Sequence, residues 1–202
     1  MIPRHCYVEN LTLAARVARI PGCVVECGVW RGGMIAGVAS ILGPSRRYYL
    51  CDSFEGLPPV KPIDGAAAAR WQVDTTSPHY HDNCTAGEEY AIQAMALAGI
   101  GSPTLVKGWF DQSLPSLRLE QPIALLRLDG DWYDSTMACL QSLYDQVAPG
   151  GLIIIDDYYT WDGCSRAVHD FLSRRSSADR IHNYGTVCYI EKQSAAAHPE
   201  CP

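Results

Sequence analysis

Carboxylates follow three strand-like runs, paired after two of them and single after the third. Asp129-Gly130-Asp131 comes after Ile123 to Leu128, a run that only Arg127 interrupts. Asp156-Asp157 comes after Leu152-Ile153-Ile154-Ile155, and Asp52-Ser53 after Arg46 to Cys51. Runs of this length between turn-formers suit buried strands of a parallel sheet. Ligands of such sheets bind beyond the carboxyl ends of the strands. Neighbouring strands lie about 4.8 Å apart, so if the runs ending at Asp129 and Asp156 are neighbours, their carboxylates converge. Converging carboxylates raise one another's pKa values unless a cation sits among them. A hard divalent cation on Asp129, Asp156 and Asp157 resolves the repulsion, with a substrate site as the alternative. Helix N-caps and solvated loop acids are the structural explanations it competes with.

A second candidate lies near the N-terminus. Cys23-Val24-Val25-Glu26-Cys27 reads as a first strand, Gly28-Val29-Trp30-Arg31-Gly32-Gly33 as a glycine-rich turn, and Met34 to Leu42 as a buried helix. Strand, glycine turn and helix in that order cradle a nucleotide at the start of a doubly wound domain. The spacing is not Gly-x-Gly-x-x-Gly, which argues against a dinucleotide and leaves a smaller ligand carrying adenosine. Asp52, ending the second strand, is then expected to bond ribose hydroxyls.

The elements that must position these groups follow in order. Glu9 to Ile20 reads as a helix with Leu13, Ala14, Val17 and Ile20 on one face, ended by Pro21-Gly22. Residues 57–87 read as an irregular lid or substrate loop, from the Pro-rich passage Leu57 to Pro62 through the small-residue run Gly65 to Ala69. His79, His81 and Cys84 lie in it without zinc-ligand spacing, and suit surface or substrate-contacting roles. Glu88 to Ala98 reads as a helix and Thr104 to Gly108 as a strand. Asp134 to Val147 follows as a helix stopped by Pro149-Gly150-Gly151, and Ser165 to Ser173 as another. Ile181 to Tyr184 and Thr186 to Ile190 read as a closing antiparallel pair, and 194–202 as a disordered tail. The pattern predicts an α/β fold with a doubly wound, mostly parallel sheet in a single domain, 1–202.

Composition narrows the function classes. The 202 residues are 48% hydrophobic and 19% charged, as in a soluble globular protein. With 16 basic and 22 acidic residues the net charge is −6, and no basic block points to nucleic acid or an anionic membrane. No apolar run approaches the roughly 20 residues of a membrane span. No signal peptide is read at the start, so a cytoplasmic location is expected. The nine cysteines include no Cys-x-x-Cys pair and are read as reduced thiols.

Together these pieces resemble the class I S-adenosylmethionine-dependent methyltransferases, with their Rossmann-like sheet. More closely, the chain resembles the macrocin O-methyltransferase family, which methylates sugar hydroxyls on natural products in antibiotic biosynthesis. The resemblance rests on Val25 to Gly33, Asp52 to Pro58, Gly108-Trp109-Phe110, Leu126 to Thr136 and Ile153 to Tyr158. It implies cofactor contacts from Glu26, Gly28 and Trp30, with Asp52 and Ser53 on the ribose side and Gly108 and Trp109 near the adenine. It also implies Mg²⁺ on Asp129, Asp156 and Asp157, and Asp131 as the general base. The implied partner is a small-molecule acceptor, a glycosylated natural product, with subunit contacts that would make a homo-oligomer. Members of the family carry a longer N-terminal segment over the cofactor, so the lid and the oligomer are expected to differ here. A catechol-like or other phenolic acceptor, and a non-catalytic adenosine-binding module, are the alternative readings.

Overall fold

The computed structural model describes residues 2–193, and the tail expected to be disordered, 194–202, lies outside them. The strands are β1 (Cys23–Cys27), β2 (Tyr48–Asp52), β3 (Thr104–Lys107), β4 (Ile123–Leu128), β5 (Val147–Ile155), β6 (Ile181–Tyr184) and β7 (Val187–Glu191). They form a sheet in the order β3-β2-β1-β4-β5-β7-β6. The neighbours from β3 through β5 are parallel, while β7 runs antiparallel to both β5 and β6. The chain winds outward from β1 to β3 and resumes on the other side of β1 with β4. Such a reversal opens a crevice at the carboxyl ends of β1 and β4.

The helices are α1 (Arg4–Arg16), α2 (Gly33–Leu42), α3 (Gly65–Val73), α4 (Glu88–Leu97), α5 (Phe110–Ser113), α6 (Tyr133–Leu143) and α7 (Asp162–Arg174). They cover both faces of the sheet, as the period-2 alternation of its strands requires. On one face Leu13 and Ala14 of α1, Val17 just past its end, Ile35 and Val38 of α2 and Met95 of α4 pack with Val24, Leu50, Leu125 and Ile154. On the other, Met137 and Leu140 of α6 and Phe171 of α7 pack with Val25, Cys27, Leu126 and Ile153. No helix among the described residues is long and apolar enough to cross a membrane. The described cysteines are free thiols, most of them buried.

Several expected boundaries move, each for a local reason. The N-terminal helix spans Arg4–Arg16 rather than Glu9 to Ile20: Pro3, extended at ψ 148°, starts it. Its end tightens into i→i−3 bonds, Ala18 to Ala15 and Ile20 to Val17. Residues 57–87 are not irregular throughout, because α3 lies inside them. Its run Ala66 to Ala69 has the best intrinsic helix formers, and the flanking Pro and Gly hid that. Pro149-Gly150-Gly151 does not separate a helix from a strand. α6 ends at Leu143, and Val147 already pairs with Ile123 while Leu152 pairs with Leu125. Residues 148–151 therefore bulge out of the ladder, with Gly150 at φ +78°.

Candidate active site

Strand register assembles the centre of the crevice. Glu26 on β1 lies opposite Arg127 on β4, and Arg127 opposite Ile154 on β5. Residues two apart share a face of a strand, so Asp129 and Asp156 project on the same side as Glu26 and Arg127. That side is covered by α1 and α2. Arg127, with 3% of its side chain exposed, is enclosed there. Its Nη1 donates to Glu26 Oε1 and to Asp129 Oδ2, both at 2.9 Å, and its Nη2 lies 2.7 Å from Asp156 Oδ1. Its Nε donates to Asn10 Oδ1 at 3.1 Å. A buried guanidinium is tolerated only when its donors are met in this way.

The expected convergence is present. Asp129, Asp156 and Asp157 each offer an oxygen, and the three oxygens lie within 4.8 Å of one another. A set of carboxylate oxygens suits a hard cation such as Mg²⁺. Arg127 is a cation already inside the cluster, but one guanidinium offsets one charge among Glu26, Asp129, Asp131, Asp156 and Asp157. Burial first, and this crowding of charge second, show in their protonation. Burial, only partly opposed by Arg127, raises Glu26 to about 8 and raises Asp129 as well. Asp129 keeps 34% of its side chain exposed, but that surface faces the cavity while protein encloses the rest. Burial and then the charges of Asp131, Asp129 and Asp156 push Asp157 well above the usual carboxylate range.

Asp131 is held close by but apart. Its backbone is left-handed, φ +56°, which swings it out of the strand direction, and its N–H donates to Asp157 Oδ2 at 3.0 Å. Its Oδ1 accepts from the Trp161 indole N–H at 2.8 Å. Burial, followed by the charge of Asp129, raises it to about 8.

The residues expected around the cofactor line the same cavity, of about 1620 Å³, as the four aspartates. Gly28 sits at φ +88°, where a Cβ would lie 1.7 Å from the Asp129 carbonyl oxygen, so the turn closes on β4 only because a glycine is there. Asp52, expected at the ribose, clamps this turn: its Oδ2 accepts from Val29 N at 2.6 Å and Trp30 N at 2.8 Å, and its Oδ1 from Phe54 N at 2.7 Å. Ser53 Oγ accepts from Glu55 N at 3.1 Å and donates to the Gly56 carbonyl at 3.2 Å. Gly108 N donates to the Asp52 carbonyl at 2.9 Å, bringing Trp109 to the cavity wall. Glu26 Oε2 and Trp30 Nε1 are buried without a protein partner.

The 57–87 stretch closes the cavity opposite the strand ends. Trp71 of α3 meets Trp132 and Trp161 with centroids 6.2 and 6.1 Å apart, and those two meet at 5.3 Å, all edge-on. Trp132 Nε1 donates to the Pro58 carbonyl at 2.9 Å. Asn83 donates to the Leu57 carbonyl at 2.8 Å and accepts from Gln72 at 3.2 Å. Residues His81 to Cys84 are all left-handed, with φ between 48° and 59°. His79, His81 and Cys84 line the cavity, and among the described residues the metal-ligand grouping is the aspartate trio. Arg127, Asn10, Trp132 and Trp161 were not expected in the site. For Arg127 the signal was available, since a charge inside a buried strand must have partners.

Two outcomes test this geometry. Asp52→Ala removes the acceptor of three backbone N–H groups and should lower the stability of the ligand-free protein by about 2–4 kcal/mol in urea unfolding. A loss below about 0.5 kcal/mol would mean that the clamp holds nothing. The second outcome concerns pH. Folded Glu26 and Asp131 keep protons up to about 8, whereas unfolded carboxyls release theirs near about 4. The folded state binds more protons in between, so in chelator its melting temperature should rise as pH falls from about 8 to about 5. Mg²⁺ should flatten that slope; a flat profile in chelator would contradict the charge surplus.

A model of the macrocin O-methyltransferase (TylF) family matches residues 4–190. The 8-demethyl-8-(2,3-dimethoxy-alpha-L-rhamnosyl)-tetracenomycin-C 4'-O-methyltransferase of Streptomyces olivaceus is 34% identical over 186 residues, covering 88% of this chain and 69% of that protein. The mycinamicin III 3''-O-methyltransferase of Micromonospora griseorubida is 32% identical over 170 residues, covering 80% of this chain and 65% of its own length. The chain thus spans about two thirds of these relatives, 69% and 65%. Among solved structures, the O-methyltransferase NovP superposes with a TM-score of 0.75 at 27% identity, over 93% of this chain and 81% of NovP. The sheet is that of the class I methyltransferases, and the chain belongs to the macrocin O-methyltransferase family.

Proposed function

We propose that this chain transfers a methyl group from S-adenosylmethionine to a hydroxyl of a sugar carried on a natural product, with Mg²⁺ held by Asp129, Asp156 and Asp157. The observation that carries the reading is the trio of oxygens within 4.8 Å of one another, beside a separately held Asp131. The names of the two relatives place the hydroxyls they methylate at numbered ring positions of glycosylated products.

S-adenosylmethionine would supply an electrophilic methyl group on its sulfonium. Glu26 Oε2, buried without a partner, suits a cationic group such as the amino group of the methionine portion. Gly28 and Trp30 would border that end, Asp52 and Ser53 the ribose side, and Gly108 and Trp109 the adenine, all of them lining one cavity. Mg²⁺ bound at the trio would act as a Lewis acid on the acceptor hydroxyl and orient it. Asp131, which a bound cation beside it would help to ionise, would take the proton of that hydroxyl, with one of its oxygens held by the Trp161 indole N–H. Trp71 and Trp161, half-buried and backed by the buried Trp132, offer apolar surface to the C–H side of a sugar ring and keep water from the reacting groups. Attack is helped mainly by holding acceptor and methyl group in register.

Asp131→Asn should leave the Mg²⁺ titration midpoint near wild type and lower kcat by roughly 10²-fold or more. Asp129→Asn removes a hard ligand, so the midpoint should rise and added Mg²⁺ should recover part of the rate. An Asp131→Asn enzyme rescued by extra Mg²⁺ would reverse these roles. For the acceptor, labelled S-adenosylmethionine and Mg²⁺ are to be incubated with panels of glycosides and catechols, followed by mass analysis. Label on a glycoside hydroxyl is expected; label on catechols alone would overturn the sugar assignment, and none on either would favour a binding module.

A further inference from the structure

α1 reaches the carboxylate centre through one side chain. Asn10 is fully buried, although asparagine is a poor residue for a helix interior. Its Oδ1 accepts from Arg127 Nε at 3.1 Å. Its Nδ2 donates to Asp156 Oδ1 at 3.3 Å and to the Cys6 carbonyl at 3.0 Å. The orientation is set by charge, since turning the amide over would press its oxygen on a carboxylate and its N–H groups on a guanidinium. Around it, Leu13, Ala14 and Val17 seat α1 on the sheet, and Glu9 accepts from Thr186 N at 2.9 Å across the β6–β7 turn.

These contacts decide how the carboxylates are shared. Asp156 Oδ1 is taken by Arg127 and Asn10 together, which leaves its other oxygen for a cation. Without Asn10 the Nε–H of Arg127 loses its acceptor. The guanidinium is then free to turn its planar fork onto a carboxylate of the trio and compete with the cation for both oxygens.

We propose that Asn10 is a positioning residue for the cation centre, tying the docking of α1 to the binding of Mg²⁺ so that each strengthens the other. The inference rests on the cation assignment made under Proposed function. Reciprocity is a thermodynamic requirement: if docked α1 favours Mg²⁺, then Mg²⁺ favours docked α1.

The test uses the full chain, MgCl₂ as the only added ligand, titration calorimetry and amide hydrogen exchange. In the wild type, exchange across residues 4–16 should slow with the calorimetric midpoint for Mg²⁺, while α7, on the opposite face, should not respond. Asn10→Leu, close in size and without polar atoms, should weaken Mg²⁺ binding by about tenfold or more and abolish the Mg²⁺-dependent protection of α1. If Asn10→Leu does not fold, the wild-type exchange decides by itself. Unchanged α1 exchange at saturating Mg²⁺, or an Asn10→Leu affinity within about twofold of wild type, overturns the inference and leaves the cation assignment standing. A wild type that shows no Mg²⁺ binding in the calorimeter removes the cation assignment, and the inference with it.

Discussion

Everything at the crevice depends on one buried guanidinium. Arg127 reaches Glu26 on β1, Asp129 at the end of its own strand, Asp156 at the end of β5, and Asn10 on α1. Removing an ion from water costs several kcal/mol even after relaxation, and close partners with good geometry are what offset it. A lysine would bring the same charge but not the planar fork that meets acceptors on several elements at once. Arg127 thus joins three adjacent strands and one helix at the place where the sheet order reverses. Its single charge is outnumbered by the carboxyl groups around it, and the protons that Glu26 and Asp131 keep up to about 8 make up part of the difference. Arg127 takes one oxygen from each of two aspartates, Asp129 and Asp156, and leaves the other oxygen of each unengaged by it.

How much of this was legible depended on how local the signal was. The strands and their terminal acids were readable because apolar runs, glycine turns and strand-ending aspartates are written in adjacent residues. The trio followed from those ends and one assumption, that β4 and β5 are neighbours, which the sheet order bears out. The separate place of Asp131 came with the family resemblance, since nothing in its own spacing distinguishes it from Asp129. That Arg127 needed partners was legible, but which partners was not, because they depend on the register of β1, β4 and β5 and on a helix 117 positions away. The tryptophan cluster was hidden for the same reason, since Trp71, Trp132 and Trp161 meet only after folding. α3 was missed through weighting: flanking Pro and Gly outweighed an alanine run whose helix propensity should have prevailed.

Asp52 shows how one position can carry more than one meaning. An acid at the end of the second strand was expected to face a ribose, and it does line the cavity. In the protein it also gathers the N–H groups of Val29, Trp30 and Phe54, so the glycine turn keeps its shape through this carboxylate. Such a group ties the rigidity of the cradle to the cradle's own ligand surface.

Under the proposed function, the separation in sequence of the 57–87 segment from the strand ends has a consequence for how acceptor preference diverges. The carboxylates, Arg127 and the glycine turn belong to the sheet and to its first helices, where any substitution disturbs register or charge. The cavity wall opposite the strand ends is built largely from this one segment, fastened to the rest of the fold at points such as Trp132 Nε1 to the Pro58 carbonyl and Tyr133 N to Asp64 Oδ1. Insertions of this kind tolerate changes of length and composition that a sheet does not. An ancestral chain could therefore exchange this segment for another and inherit a new substrate range with its methyl-transfer chemistry intact. For the protein engineer it marks the cassette to randomise and the residues to leave alone.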